Sequence, residues 1–458
     1  MDNSSSVALP LAPAVLQSPT RVGKWPILGA LPGMLTDAPG TMLAAMREHV
    51  GELFALQLGP VQVPVVYRPA DIQNVLLENA KAFTKGGMWS ATRPLLGEGL
   101  VTSDGEAWRK QRQLMQPVFT PKHLATLGAL MAEAVEEQLN DLDTRIQGPV
   151  DIGNEMTLIT QNVLFRTMFG TSLDPKTASK LGLDLNRAFE AMNLRIFLYF
   201  LPDWVPLPGS RDFFGSIAAI DEALNGVVAE RRAHPTERPD LLNLLLGARD
   251  PETGEGMDDK LIRDQLVTLF VAGLDTTAVT LTWLLYLLDE HPEVDAKLRA
   301  EVERVLEGRS PRVEDLPKLS YTKQVIQETM RLYPPAWIFP RFAENAEVVG
   351  DRHIAPGTSL LISPWLTHRD PQSWENPDTF DPDRFSAERS AGRSRFAYIP
   401  FGVGGRQCIG NHFAMMEAQI ATALLVQRYT AKRAPGAPVV PASTSTLKPK
   451  GGLKMQLS

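Results

Sequence analysis

The sequence predicts a mainly α-helical fold with a smaller β portion, organised as one domain, and three features predict it. Apolar residues recur at helical spacing over long windows, the longest being Met257–Glu290, enough to cross a whole domain. Period-two alternation is confined to short stretches such as Leu53–Leu58 and Val61–Tyr67, a hairpin turned by Gly59-Pro60. No linker of shifted composition divides residues 21–458, although 458 residues would by length suggest about three domains. Residues 1–20, rich in Ser, Pro and Ala, read as a disordered lead-in.

Bulk composition narrows the class. A hydrophobic content of 44% and a charged content of 22% are ordinary for a globular chain. The net charge of −7 gives no reason to expect a nucleic-acid partner. The single cysteine excludes an internal disulfide and suits a reducing compartment. The apolar run Val7–Leu16 is broken by Pro10 and Pro13, and no run reaches ~18 uninterrupted apolar residues. The expectation is a cytoplasmic monomer without a membrane anchor.

Taken in order, Met42, Leu43, Met46 and Val50 space a first helix within Gly40–Val50, and Asp71–Asn79 resumes the helical period. Lys81–Gly99 holds no period, yet Met88, Trp89, Leu95 and Leu96 are too apolar for a loop wholly in water. A helix beginning near Asp104 puts Trp108 and Arg112 on one face, i and i+4. An indole N–H and a guanidinium there can both donate to a carboxylate. Helical windows follow at His123–Leu142, Glu155–Phe169, Lys176–Met192 and Asp212–Arg232, with an aromatic, proline-punctuated Leu194–Pro208 between the last two.

Inside Met257–Glu290, the run Ala272-Gly273-Leu274-Asp275-Thr276-Thr277 is anomalous. Glycine costs a helix about 1 kcal/mol against alanine, and threonine can bond back to the preceding turn. The helix is therefore expected to bend or widen, and Asp275 needs a partner or water. Val294–Val305 and Tyr321–Tyr333 are helical, the second placing Glu328 and Arg331 on one face. Ala336-Trp337-Ile338-Phe339 reads as an extended strand and His353–Trp365 as turn and strand. His368-Arg369-Asp370-Pro371 reads as the start of a helix, and Thr444–Pro449 as a strand turn. The seven histidines show no His-x-x-x-His or Glu-x-x-His spacing, so no second metal site is expected.

The lone cysteine lies in Phe401-Gly402-Val403-Gly404-Gly405-Arg406-Gln407-Cys408-Ile409-Gly410, followed by a long apolar helix over Phe413–Val426. The glycines let the backbone turn tightly and approach something flat. A thiol at a helix N-terminus with Arg406 nearby is expected to favour its thiolate, hence a metal ligand or a nucleophile.

The pattern Phe-Gly-x-Gly-x-Arg-x-Cys-x-Gly, six fixed positions, resembles the haem-ligand loop of the cytochrome P450 monooxygenases. The resemblance implies haem b enclosed between the long central helix and the cysteine loop, with Cys408 on the iron. It implies further that Trp108, Arg112, Arg341, Phe401 and Arg406 hold the haem and that Asp275 and Thr276 manage protons for O2. Glu328, Arg331 and Arg384 would form a structural network behind the cysteine loop. Met88, Trp89, Leu95, Val271, Ala272, Ala336, Trp337 and Ser445 would line the substrate pocket. Leu194–Pro208 would join two lid helices.

Those pocket residues carry no charge, so the implied substrate is a neutral hydrophobic molecule of terpenoid, steroid, polyketide or fatty acyl type. No Rossmann Gly-x-Gly-x-x-Gly is present, so electrons are expected from a separate ferredoxin or flavodoxin-type protein with its NAD(P)H reductase. Between Arg384 and Arg406 lie five arginines and one acid. Arg389, Arg393 and Arg395, with Arg109 and Lys110, are expected to face solvent and steer that donor. A haem-thiolate sensor or a carrier of hydrophobic ligands would not need Asp275 beside Thr276. A peroxygenase would replace that pair with a substrate-anchoring arginine.

Overall fold

The computed structural model describes residues 18–170, 175–197, 207–434, 436 and 438–458. It is 58% helix and 11% strand, mainly α as expected. Among the described residues ten helices exceed ten residues: α1 Leu31–Glu48, α2 Gly105–Met115, α3 Gly128–Arg145, α4 Ile152–Phe169, α5 Pro175–Phe197, α6 Ser210–Ala233, α7 Asp259–Glu290, α8 Pro292–Leu306, α9 Ser320–Leu332 and α10 Asn411–Arg428. The strands are β1 Thr20–Val22, β2 Phe54–Leu58, β3 Val61–Val66, β4 Phe83–Thr84, β5 Val150–Asp151, β6 Phe339–Ala343, β7 Glu347–Val349, β8 Arg352–Ile354, β9 Thr358–Ile362, β10 Ala431–Arg433, β11 Pro441–Ser443, β12 Leu447–Pro449 and β13 Lys454–Leu457.

The main sheet runs β1-β2-β3-β9-β6-β4. The β2–β3 hairpin pairs Phe54 with Val65 across the expected turn, and β3 lies parallel to β9, Val65 opposite Leu361. Of the lead-in, residues 1–17 lie outside the described residues, and Thr20 already pairs with Phe54 in the sheet. A separate hairpin, β11–β12, carries the turn Thr444–Thr446.

Helix α7 is the axis of the fold. Asp258 caps it by accepting from Leu261 N–H at 2.7 Å, and the helix stops at His291, ahead of Pro292. Its 32 residues span about 48 Å, with α4, α6, α8, α9 and α10 packed around it. Among the described residues it is the one helix long and apolar enough to cross a membrane, but 72% of that window is buried in the protein. The helix is continuous through Ala272–Thr277, where the sequence led us to expect a bend or widening. Gly273 serves packing instead: a Cβ there would come within 3.0 Å of Leu164 on α4.

Other expectations shift. His123–Leu142 divides into a short helix Pro121–Ala125 and α3, and Lys81–Gly99 holds β4, a 3-10 segment Gly87–Thr92 and the short helix Arg93–Leu96. No helix starts at His368; it closes the short helix Pro364–Thr367, and residues 371–374 turn. The extended stretch at Ala336–Phe339 becomes a strand only from Phe339. Of Leu194–Pro208, residues 198–206 lie outside the described residues.

The buried network at α9 fixes how the chain returns toward the cysteine. Glu328, fully buried, accepts from Arg331 Nε at 2.6 Å and Nη2 at 2.8 Å, from Arg384 Nε at 3.2 Å and from Asp381 N–H at 2.9 Å. Arg331 spends its remaining donors on the carbonyls of His368, Pro377 and Thr379, and Arg384 on those of Glu375, Asn376 and Thr379. His368 then accepts from Ile399 N–H at 2.9 Å, and Tyr398 donates to the Gln327 carbonyl at 3.0 Å. Burial and the adjacent Arg331 and Arg369 push the His368 imidazole down to about 3, so it stays neutral and able to accept. Two residues further on, Phe401 begins the cysteine loop. Glu328→Gln leaves two buried guanidiniums short of an anion, a loss on the order of 3–5 kcal/mol. We expect a lowered melting temperature and depleted haem content; parental values of both would remove this network from the support of the loop.

Candidate functional site

The cysteine loop is held by its own backbone and by α2. Cys408 N–H donates to the Phe401 carbonyl at 2.9 Å, closing the loop on itself. Gly404 has φ +75°, and a Cβ there would meet the Leu76 carbonyl, so only glycine fits. From α2, Trp108 lies under the Arg406 guanidinium at 3.7 Å and Arg112 Nη1 donates to the Gln407 carbonyl at 2.9 Å. Arg406 also donates to the Ser103 carbonyl at 3.1 Å and pairs with Asp104. Trp108 and Arg112 thus share a face, as the i, i+4 spacing predicted, and both face this loop.

The thiol departs from expectation. The Gly410 N–H and Arg112 favour its thiolate, but burial outweighs them and pushes the Cys408 thiol up. Yet Cys408 remains accessible to a water-sized probe. A group so enclosed and still accessible opens on an interior space. On α7, a helix buried almost throughout its middle, Ala272 is exposed and Val271, Gly273 and Thr276 partly so. Ala336 and Ser445 are exposed as well.

Other predicted lining residues lie elsewhere. Leu95 is fully buried in the main core, and Trp337 is buried against the α1 cluster with its indole donating to the Thr444 carbonyl. Both turn away from accessible space, so we correct their assignment to packing. Trp89 is half-buried with an unpartnered indole N–H, and the side chain of Met88 lies outside the described residues. Phe401 packs on the main core. A cleft of about 460 Å³ at Arg93, Asp221, Lys260 and Arg263 contains none of these residues, and its charges pair with one another.

One cation was not foreseen. Lys85 hands its ammonium to the carbonyls of Val101 at 2.5 Å, Ser103 at 3.3 Å and Leu100 at 3.4 Å, without an acid partner among the described residues. Burial, with Arg406 and Arg341 adding, pushes it down to about 7. Arg341, also without an acid partner among the described residues, is pushed down to about 10 by burial and Arg406. Asp104 is the one carboxylate acting on this group, so the interior holds a surplus of positive charge beside the thiol. Nothing in the irregular Lys81–Gly99 stretch marked Lys85 out. A second unforeseen group is Glu417 on α10, buried without a hydrogen-bond partner and pushed up to about 8 by burial, near Thr277.

Comparison with known proteins agrees with this geometry. A profile of the family "Cytochrome P450" matches residues 19–457. The chain belongs to the cytochrome P450 family. Cyclooctatin synthase of Streptomyces melanosporofaciens is 37% identical over 92% of each chain, and cyclooctat-9-en-7-ol 5-monooxygenase of the same organism is 34% identical over 93% and 94%. Pentalenene oxygenase of Streptomyces avermitilis is 31% identical over 96% and 97%. The crystal structure of the cytochrome P450DA haem domain superposes with a TM-score of 0.87 at 27% identity, covering 97% and 98%. This cytochrome P450 is therefore a haem-dependent monooxygenase that uses O2 and a hydrophobic small molecule and needs a redox partner.

The residues present fit haem. Its two carboxylates would give Lys85, Arg112 and Arg341 the anion they lack and add to the Asp104 partner of Arg406, and its iron is a metal that an enclosed, accessible thiol can ligate. The mismatch without haem is measurable. Folded Lys85 at about 7 lies below its ordinary 10.5, so between those pH values the unfolded chain holds a proton the folded chain does not. Stability of the haem-free protein should therefore rise from pH 7 toward 10.5, with the Lys85 penalty full and constant below 7. In Lys85→Met urea unfolding should show a shallower rise; an identical slope would remove Lys85 as its source.

Proposed function

We propose that this cytochrome P450 hydroxylates a polycyclic terpenoid, with Cys408 as the iron ligand and a separate ferredoxin or flavodoxin-type donor. The observation that carries the reading is the exposure of Ala272 on an otherwise buried stretch of α7, with Thr276 partly open beside it and Cys408 and Ala336 exposed as well. Relatives named for cyclooctatin and pentalenene chemistry, aligned over more than nine-tenths of both chains, support the terpenoid class.

Haem, when bound, would supply oxygen activation at an iron whose thiolate ligand favours O–O cleavage. The chain supplies the rest. Cys408 would hold the iron as a thiolate, a form that a bound metal favours and that burial of the thiol opposes. Lys85, Arg112, Arg341 and Arg406 hold the carboxylates. Thr276 donates its hydroxyl to the Ala272 carbonyl at 2.8 Å, which leaves its oxygen lone pairs for a polar group in the space. Asp275, the residue before it and ion-paired with Lys448 at 2.5 Å, is the carboxylate we assign to passing protons toward it. Per turnover one C–H bond, one O2, two electrons and two protons give one C–OH and one water. Val271, Ala272 and Ala336 wall the space with apolar surface and keep bulk water from it.

The docking face for the donor is smaller than the arginine count suggested. Arg393 is half-buried, stacked on Trp374 at 4.3 Å and donating to the Arg384 carbonyl at 2.7 Å, and Arg389 pairs with Asp381 at 2.8 Å. Arg109 pairs with Glu106 at 2.6 Å. Arg395 and Lys110 remain exposed on the two segments flanking the cysteine loop, and we assign the steering to them.

Reconstitution with a ferredoxin, its reductase, NAD(P)H and cyclooctat-9-en-7-ol tests the reading. We expect substrate to displace water from the ferric iron, seen as a spectral shift, and one oxygen of 18O2 to appear in the product. Arg395→Ala with Lys110→Ala should slow first electron transfer and flatten its salt dependence. No spectral response to any terpenoid alcohol, with fatty acids responding, would overturn the substrate class; salt dependence equal to the parent would move the docking face.

A further inference from the structure

Lys85 spends its ammonium on backbone. Its Nζ donates to the carbonyls of Val101 at 2.5 Å, Ser103 at 3.3 Å and Leu100 at 3.4 Å, three oxygens of one short turn. An ammonium carries three hydrogens, so this set accounts for all of them. Among the described residues no other group donates to the Leu100 or Val101 carbonyl, and that of Ser103 is shared with Arg406 of the cysteine loop at 3.1 Å. Other polar groups of the turn are met from α7 and α2. Glu98 N–H donates to Asp264 at 2.9 Å and Leu100 N–H to Gln265 at 3.1 Å, while Gln111 donates to the Glu98 carbonyl at 2.8 Å. Lys85 thus supports the carbonyls that those helices do not reach. It follows directly on β4, whose Phe83 pairs with Ala343 of β6, so the ammonium is rooted in the main sheet.

What the turn does follows from where it lies. Gln265, Thr268, Ala272 and Thr276 fall three and four residues apart and share one face of α7. The first two are buried under the turn: Gln265 accepts from Leu100 N–H, and a Cβ on Gly99 would strike the Thr268 hydroxyl. The last two are uncovered, Ala272 exposed and Thr276 partly so. The turn therefore ends the open stretch of that face on its N-terminal side. Leu100, Thr102 and Ser103 are buried, and Val101 among them is partly exposed. The carbonyl that Lys85 approaches most closely is that of Val101.

We propose that Lys85 is an internal strut: its ammonium pins the Leu100–Ser103 turn and so fixes how far a molecule lying along Ala272 and Thr276 extends, with Val101 as the side chain it meets. The inference rests on the proposed seating of a terpenoid at Ala272 and Thr276. Lys85 acts through the turn and not on the substrate, so it is a positioning residue. Its charge draws a haem carboxylate while its hydrogens serve the turn, and the two roles separate by experiment. Removing the ammonium leaves the Leu100 and Val101 carbonyls without a donor, which loosens the turn. Lys85→Ala removes three carbons and a nitrogen, the atoms of propylammonium, so that cation should refill the place.

The test uses the haem-loaded protein, comparing parent, Lys85→Met, Lys85→Ala, Lys85→Arg and Val101→Ala. Amide hydrogen exchange over residues 97–103 reads the turn without turnover. Exchange there should speed up about tenfold in Lys85→Met and Lys85→Ala, the worth of one hydrogen bond to a charged group. Lys85→Arg should restore most of the protection. Propylammonium should slow exchange in Lys85→Ala and leave the parent unchanged. Titration with cyclooctat-9-en-7-ol, followed by the substrate-induced spectral shift, should give a dissociation constant raised by a similar factor in Lys85→Met. The same substitution on a Val101→Ala background should change it far less. Parental exchange over residues 97–103 in Lys85→Met, with haem content lowered, would leave Lys85 only a haem-carboxylate partner and overturns the proposal. So does failure of both Lys85→Arg and propylammonium to restore protection, or an equal change of affinity in both Val101 backgrounds. If the parent gives no spectral response, the substrate reading has failed, and the exchange comparison still decides the strut.

Discussion

Four cations from four separate parts of the chain, Lys85, Arg112, Arg341 and Arg406, converge beside a buried thiol with Asp104 as the one carboxylate acting on them. Buried charge without a counter-ion is among the costliest arrangements a protein can hold. The rest of the fold depends on how that surplus is met. Haem would be held by these cations through its carboxylates and by Cys408 through its iron. Burial lowers Lys85 to about 7 and raises Cys408, shifts that a bound anion and a bound metal would oppose. Haem bound to the folded chain would therefore stabilise it by mass action.

That constraint explains where the protein spends its rigidity. The Glu328–Arg331–Arg384 network performs no chemistry, yet its guanidinium donors fix carbonyls from His368 to Thr379 and, through His368 and Tyr398, the approach to Phe401. Gly404 lets the loop lie against Leu76, and Trp108 presses Arg406 into place. On the opposite side the unbroken α7 offers its few uncovered positions, Ala272 and Thr276 among them, one turn apart. Precision is concentrated at the two walls, while the space between them is apolar and adaptable.

Much of this was legible in the sequence, for physical reasons that also mark its limits. Long helices announce themselves because burying one face demands a 3.6-residue period, so α4, α6, α7 and α10 fall within a few residues of where the pattern placed them. The cysteine loop was readable because glycine, arginine and cysteine at fixed spacing have few other uses together. Strands such as β5, β10 and β13, two to four residues long, are too short for alternation to register. Leu95 and Trp337 are apolar residues in the right neighbourhood, and composition cannot say which way a side chain turns. Gly273 looked like a helix breaker because propensity describes an isolated helix; the neighbouring Leu164 decided otherwise. Lys85 and the Lys448–Asp275 pair were invisible because they join residues far apart in sequence, and one alignment-free chain carries no record of such contacts.

The central claim is that Cys408 alone supplies the iron's thiolate. It is tested most directly by the absorption spectrum of the reduced, CO-bound haem protein, recorded for the parent and for Cys408→Ser. The account predicts the red-shifted Soret band of thiolate ligation in the parent and its complete loss in the serine variant, since no second cysteine exists to replace it. Persistence of that band in Cys408→Ser would contradict the assignment of the ligand and with it the site built around it.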